Sequence, residues 1–210
     1  MDRNIRTQTP IDQIQWHCGE EHNPGIDEVP EWQDWSNRPS TLDQLRIEQY
    51  LSTLDLSRRT VLHVGIGNSE FAEKICEFAA SVDGITIQPA EVAKAQTFNL
   101  RNYRAFLLNK FSPDLCQVLG TRYDYIVEVN PTGFTCCRYH FFRMMQSYRD
   151  LLQAGGSLLT DRIGLKFTSL NNNPAWSLLP EHWKAIAGCL DLEFEMIDPF
   201  IIALVKPNVG

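Results

Sequence analysis

From residue 60 onward, short apolar and β-branched runs alternate with stretches of helical period, and this alternation constrains the fold more than any other feature of the chain. The run "TVLHV" precedes a helical stretch over 70–80, "VDGITI" precedes one over 89–99, and "YRAFLL" precedes a short one near "SPDLCQVL". Next come "YDYIVEV", a helix over about 139–152, and "SLLTD" after the turn "AGG". A loop carrying "NNNPAW", a helix over 181–189 and two closing strands, "LEFEMI" and "FIIALV", complete the order. Parallel strands need crossovers, which are right-handed, so the pattern predicts an α/β fold with helices on both faces of the sheet. The last two strands are joined only by "DP", too short for a crossover; a hairpin is the open alternative.

The first 40 residues read differently. They hold Trp16, Trp32 and Trp35, four prolines and an acidic excess, with neither helical nor strand period. Tryptophan is costly to leave in water, so residues 1–40 are expected to form an ordered arm or lid on an α/β domain over 41–210. That domain opens with a helix capped by Ser40 or Thr41, whose apolar face is predicted from Leu42, Leu45, Ile47, Tyr50, Leu51 and Leu54.

Composition excludes several function classes. With 43% hydrophobic residues in a chain of 210, there is material for one substantial core. A formal net charge of -7 and the lack of a basic run argue against a nucleic-acid or anionic-membrane partner. No stretch approaches a membrane span and the N-terminus lacks an apolar signal region, so a cytoplasmic location is expected. The six cysteines show no CxxC pair and read as reduced, mostly buried thiols, with no metal expected. His17 and His22, with Glu20 or Glu21 between them, also lack a ligand register. Oligomeric state is not legible.

At the end of the first strand stands "VGIGNSEFA". Gly65 and Gly67 allow the backbone to bend sharply and to approach a ligand closely, at the position where open α/β sheets bind one. The spacing is G-x-G-x-S; Ser69 replaces the third glycine of a dinucleotide fingerprint and suits helix capping, which leaves less reason to expect a pyrophosphate.

Together "VLHVGIGNSEFA", "VDGITIQPAEVAKA", "YDYIVEVN" and "LLQAGGSLLTD" resemble the class I S-adenosylmethionine-dependent methyltransferases over roughly residues 40–206. The resemblance implies a Rossmann-like seven-stranded sheet with a short final hairpin, and S-adenosylmethionine as cofactor. Two positions depart from the family pattern. His63 stands where the first motif usually begins with an acid, and Thr86 where an acid usually holds the ribose. The segment "GITIQPAEV" is instead similar to that of cyclopropane-fatty-acid-synthase-like enzymes, which implies that Thr86 and Glu91 hold the ribose hydroxyls. A cofactor site is thus expected from Trp16, His63, Gly65, Gly67, Asn68, Ser69, Thr86, Ile87, Glu91, Asn109 and Glu128, with Asn109 near adenine.

Reaction chemistry is expected around "EVNPTGFTCCRYHFF". Glu128 and Asn130, two apart at a strand end, share one face, and a carboxylate in so apolar a run needs a partner. His140 or His17 are candidate bases or packed residues, Cys136 and Cys137 a nucleophile pair without an evident base, and Tyr139 or a tryptophan a cation–π shield for a sulfonium. Three functions remain open: methyl transfer to a small acceptor, attack on another sulfonium carbon as in azetidine-2-carboxylate synthases, or cofactor binding without turnover.

Overall fold

The computed structural model describes residues 9–24, 33–120, 122–167 and 173–208. Seven strands, β1 (Thr60–Val64), β2 (Ser81–Thr86), β3 (Tyr103–Leu107), β4 (Tyr123–Glu128), β5 (Leu152–Asp161), β6 (Glu193–Met196) and β7 (Ile201–Val205), form one sheet. Six α-helices are described: α1 (Leu42–Leu51), α2 (Glu70–Ile75), α3 (Pro89–Thr97), α4 (Leu115–Leu119), α5 (Arg138–Leu151) and α6 (Pro180–Cys189).

The strand order is β3-β2-β1-β4-β5-β7-β6. Strands β1 to β5 pair in parallel, and β7 runs antiparallel between β5 and β6. The "DP" link is therefore a hairpin. Asp198 closes it, its carboxylate accepting the backbone amides of Phe200 at 2.6 Å and Ile201 at 2.7 Å.

Both faces of the sheet are covered, as the alternation requires. Val61 packs with Ile47 and Leu51 of α1 and Phe71 of α2, while Leu62 and Val64 face the opposite layer with Leu115 of α4, Phe141 of α5 and Trp183 of α6. The order reverses beside β1, between β2 and β4, and open α/β sheets bind ligands at such a switch, along the rim formed by the carboxyl ends of the strands.

Three local expectations are corrected. The helix after β1 stops at Ile75, short of residue 80, because the Asn102 side chain donates to the carbonyls of Cys76 and Ala79 and holds them out of a further turn. In α1, Leu42 and Leu45 are exposed rather than part of the apolar face, and the buried stripe instead carries Ile47, Leu51 and Glu48, the last paired with Lys74 of α2 at 2.7 Å. The "AGG" tripeptide is not a turn before β5 but lies inside it, at a register shift against β4 between Tyr123 and Tyr125.

Part of the arm is built into the core. Ile11, within a 3-10 turn at Pro10–Gln13, and Ile14, which follows it, are buried in the α5 layer. Trp32 lies outside the described residues. Among the described residues no helix is long and apolar enough to cross a membrane.

Candidate functional site

The turn after β1 takes the shape its glycines permit. Gly65, Gly67 and Ser69 all have positive φ, at 77°, 51° and 63°. A Cβ at Gly65 would meet nothing within 4 Å, so the backbone there is open to close approach. Ile66, between the glycines, packs down on Gly84 of β2, where a Cβ would sit 2.4 Å from its Cγ2. Ser69 does not cap α2 as expected. Its hydroxyl lies 3.3 Å from the Tyr103 hydroxyl, and Asn68 caps instead, its Oδ1 accepting the Glu70 amide at 3.0 Å.

Glu91 stands at the centre of this rim. It lies in the first turn of α3, 3% exposed, and its Oε2 accepts the Thr86 hydroxyl at 2.6 Å across the end of β2. Its Oε1 accepts the Trp35 amide at 3.2 Å, and the Gly67 amide also donates to the carboxylate. Burial raises its pKa above the ordinary value, and these donors oppose the shift. The β1 turn, the β2 terminus, α3 and the arm thus converge on one acid. Beside it, Ile87 is partly buried against the α5 layer. Asn109 sits after β3 in a local turn, its Oδ1 accepting the Phe111 amide at 2.9 Å.

Glu128 is bound on every side that the structure describes. Oε2 accepts from Tyr148 of α5 at 2.8 Å and from the Lys110 ammonium at 3.3 Å, and Oε1 accepts the Asn130 amide at 3.2 Å. Lys110 also donates to the Asn130 carbonyl at 3.2 Å. Burial raises the Tyr148 pKa well above its usual range and lowers that of Lys110, whose ammonium the Glu128 carboxylate supports. This partnership meets the cost of a carboxylate in an apolar strand. Sequence reasoning missed Lys110, because a single lysine after a strand has no distinguishing pattern.

His63 is displaced from the rim. It faces the α1/α2 side of the sheet, fully buried, with its ring centroid 4.2 Å from that of Phe71 and neither ring nitrogen hydrogen-bonded. Desolvation drops its pKa to about 3, so it stays neutral. A mid-strand side chain on β1 points to a helix layer, and the position is therefore a core one.

The remaining candidates gather where the arm meets α5. The amides of Arg138 and Tyr139 donate to the carbonyls of Gln15 (3.2 Å) and Trp16 (2.7 Å), so the arm runs along the first turn of α5. Trp16 is half exposed, and its ring is covered by the Arg138 guanidinium, 4.8 Å from the centroid. His17 is exposed, with its Nδ1 accepting the Gly19 amide at 2.9 Å and its ring edge-on to Tyr139 at 4.5 Å. His140 is buried, and its Nδ1 lies among the thiols of Cys18, Cys136 and Cys137. The loop leading there is pinned by a Thr132 hydroxyl bond to the Phe167 carbonyl (3.1 Å) and an Asn23 side-chain bond to the Phe134 carbonyl.

Of the six cysteines only Cys137 is fully buried, against the expectation for most of them. Burial and the adjacent thiols push Cys136 up, so Cys136 is a poor nucleophile as a thiol.

No protein-family model and no curated protein matches the sequence. Solved structures do. A sugar N-methyltransferase from Streptoalloteichus sp. aligns with a TM-score of 0.59 at 12% identity over 81% of this chain and 89% of that chain. The N-methyltransferase NodS from Bradyrhizobium japonicum, in complex with S-adenosyl-L-homocysteine, aligns with a TM-score of 0.57 at 13% identity over 90% and 99%. An rRNA methylase from Streptococcus thermophilus aligns with a TM-score of 0.50 at 11% identity over 78% and 95%. The chain has the class I methyltransferase fold, and at these identities the likeness is one of fold.

Proposed function

We propose that the chain binds S-adenosylmethionine along the β1/β2/β4 rim and transfers its methyl group to a small-molecule acceptor. The observation that carries this reading is Glu91. A buried carboxylate in the first turn of α3, just beyond the second strand and tied to Thr86 and to the glycine turn, is the chemistry that accepts a ribose hydroxyl. Its described donors are three, against about four lone-pair sites on a carboxylate, and the open approach at Gly65 gives a neighbouring ligand backbone-level access. These residues fit the cofactor.

When bound, S-adenosylmethionine supplies a carbon made electrophilic by its sulfonium. The chain's part is to hold and orient. Glu91, Thr86 and Gly67 take the ribose side, and the Asn109 amide is the donor available to the adenine. Ile87 offers the apolar flank.

Proton chemistry is more restricted. Glu128 is committed to Lys110, Tyr148 and Asn130 as a rigid anchor for the rim, and His140 is committed to its thiols. Among the described candidates, His17, exposed beside Tyr139 with Nδ1 accepting the Gly19 amide, is the base not tied into a buried network. Methyl transfer then depends mainly on positioning, for an acceptor that is already nucleophilic or needs only His17. An acidic chain without a basic run favours a small molecule over nucleic acid as that acceptor. Cyclisation of the cofactor's own amino-acid chain ranks second, because it needs a base for the α-amine and Glu128 is occupied.

The test is to incubate the purified chain with S-adenosylmethionine, alone and with panels of amine, hydroxyl and thiol acceptors, and to follow products by mass spectrometry. S-adenosylhomocysteine appearing only with an acceptor supports the reading. Methylthioadenosine released from the cofactor alone would replace methyl transfer with cyclisation or aminocarboxypropyl transfer.

A further inference from the structure

We propose that Cys18, Cys136, Cys137 and His140 form a tetrahedral zinc site that staples the N-terminal arm to the first turn of α5. One ligand atom from each of the four lies within 4.8 Å of all the others. The Cys18, Cys136 and Cys137 sulfurs stand 3.3, 3.3 and 3.2 Å from His140 Nδ1, and Cys18 and Cys136 are 3.6 Å apart, sulfur to sulfur. A tetrahedron with Zn–S near 2.3 Å and Zn–N near 2.0–2.1 Å has edges of about 3.8 Å between sulfurs and about 3.5 Å between sulfur and nitrogen. The three sulfur–nitrogen separations and the Cys18–Cys136 separation stand close to those edges, and the remaining sulfur pairs lie within 4.8 Å.

Hydrogen bonding does not account for the arrangement. A neutral imidazole has one acceptor nitrogen with one in-plane lone pair, so at most one of three thiols donates to it. The other two stand at the same distance from Nδ1 without donating to it, and a Cys136 thiol bond to Cys18 Sγ does not explain why all three sulfurs converge on that one nitrogen. A cation at the centre gives every donor the same role.

The surroundings also suit a ligand set. His140 Nε2 lies 3.4 Å from the Glu21 carbonyl, which places the ring proton on Nε2 and leaves Nδ1 free to coordinate. Cys137 occupies the N-cap of α5, the helix that also carries His140. The backbone bonds from Arg138 and Tyr139 to Gln15 and Trp16 deliver Cys18 to the cluster. Three thiolates and one imidazole are soft donors that select zinc among the common divalent ions, and four protein ligands make a closed, structural site. Binding releases three thiol protons, one from each cysteine. The proposal does not depend on the cofactor reading.

The test uses the full chain loaded with Zn²⁺, or with Co²⁺ as a spectroscopic substitute, and then desalted. The expected result is about one metal per chain by elemental analysis, with intense visible bands and thiolate charge transfer in the cobalt form. Cys18→Ser and Cys136→Ser should lower retained metal to less than about a tenth of an equivalent after the same desalting, while Cys189→Ser, outside the cluster, retains it. Chelation should speed proteolysis within residues 9–24 by at least about tenfold, since local opening is what a protease samples. Four results would overturn the proposal: failure of the wild-type chain to retain zinc, a weak octahedral cobalt spectrum, equal retention by the Cys18 variant, or a Cys18–Cys136 disulfide in the purified protein.

Discussion

The Thr86 hydroxyl donates to Glu91 Oε2 at 2.6 Å, joining the last residue of β2 to the first turn of α3. That bond places a buried carboxylate beside the glycine turn, whose Gly67 amide also donates to it.

Glu91→Gln should weaken S-adenosylhomocysteine binding by at least tenfold, roughly the loss of one charge-assisted hydrogen bond. Thr86→Val should cost less, because Trp35 and Gly67 still orient the acid. Burial raises the Glu91 pKa, so ligand affinity should fall as pH drops through that raised value, and Glu91→Gln should flatten the dependence. Titration calorimetry at several pH values reads all three.

His63 ties stability to acid. Its pKa is about 3 in the fold against 6.5 for the free side chain, so the unfolded chain takes up a proton that the folded chain refuses. Stability is full above pH 6.5 and declines as pH falls, by about 2 kcal/mol at pH 5 from this residue alone. His63→Leu also removes two buried, unbonded nitrogens, and should both raise stability at neutral pH and abolish that slope. Urea denaturation at pH 7 and pH 5 decides it.

Gly84 is fixed by its neighbours rather than by its own conformation. Gly84→Ala would bring a methyl to 2.4 Å from Ile66 Cγ2 and 2.8 Å from the Tyr103 hydroxyl, destabilising the fold by about 1–3 kcal/mol. Ile66→Ala in the same chain should recover part of that loss, which thermal denaturation of the two single and the double variants would show.

Glu128 separates an anchor from a base. As an anchor, Glu128→Gln should lower kcat by less than about tenfold, whereas loss of a general base would cost about 100-fold or more. Lys110→Met strands the acid in the core and should destabilise the fold by about 3–5 kcal/mol, with much of that restored in the Lys110→Met, Glu128→Gln double variant. Steady-state kinetics and denaturation midpoints measure the two effects.

Local pattern carried the fold well. "TVLHV" is β1 as read, and the Gly65 and Gly67 turn has the positive φ its residues allow. Patterning failed where a tertiary partner decides the outcome. Asn102 ends α2 from 26 residues away, and β4 turns the "AGG" of β5 into an irregularity of the ladder. At the site, the pairing of Thr86 with Glu91 is within reach of a local reading, because α3 follows β2 at once. The thiols are not: Cys18 and Cys136 are 118 residues apart, so no ligand spacing exists to be recognised. His63 illustrates the opposite error, since a motif position suggested the rim while strand alternation sends the side chain into the core.

The most direct measurement of the central claim is the binding of S-adenosylhomocysteine to the wild-type chain and to Glu91→Gln, by calorimetry at neutral pH. The account predicts one site per chain, weakened at least tenfold by the substitution. Absence of binding to the wild type, or equal affinity in the two proteins, would contradict it.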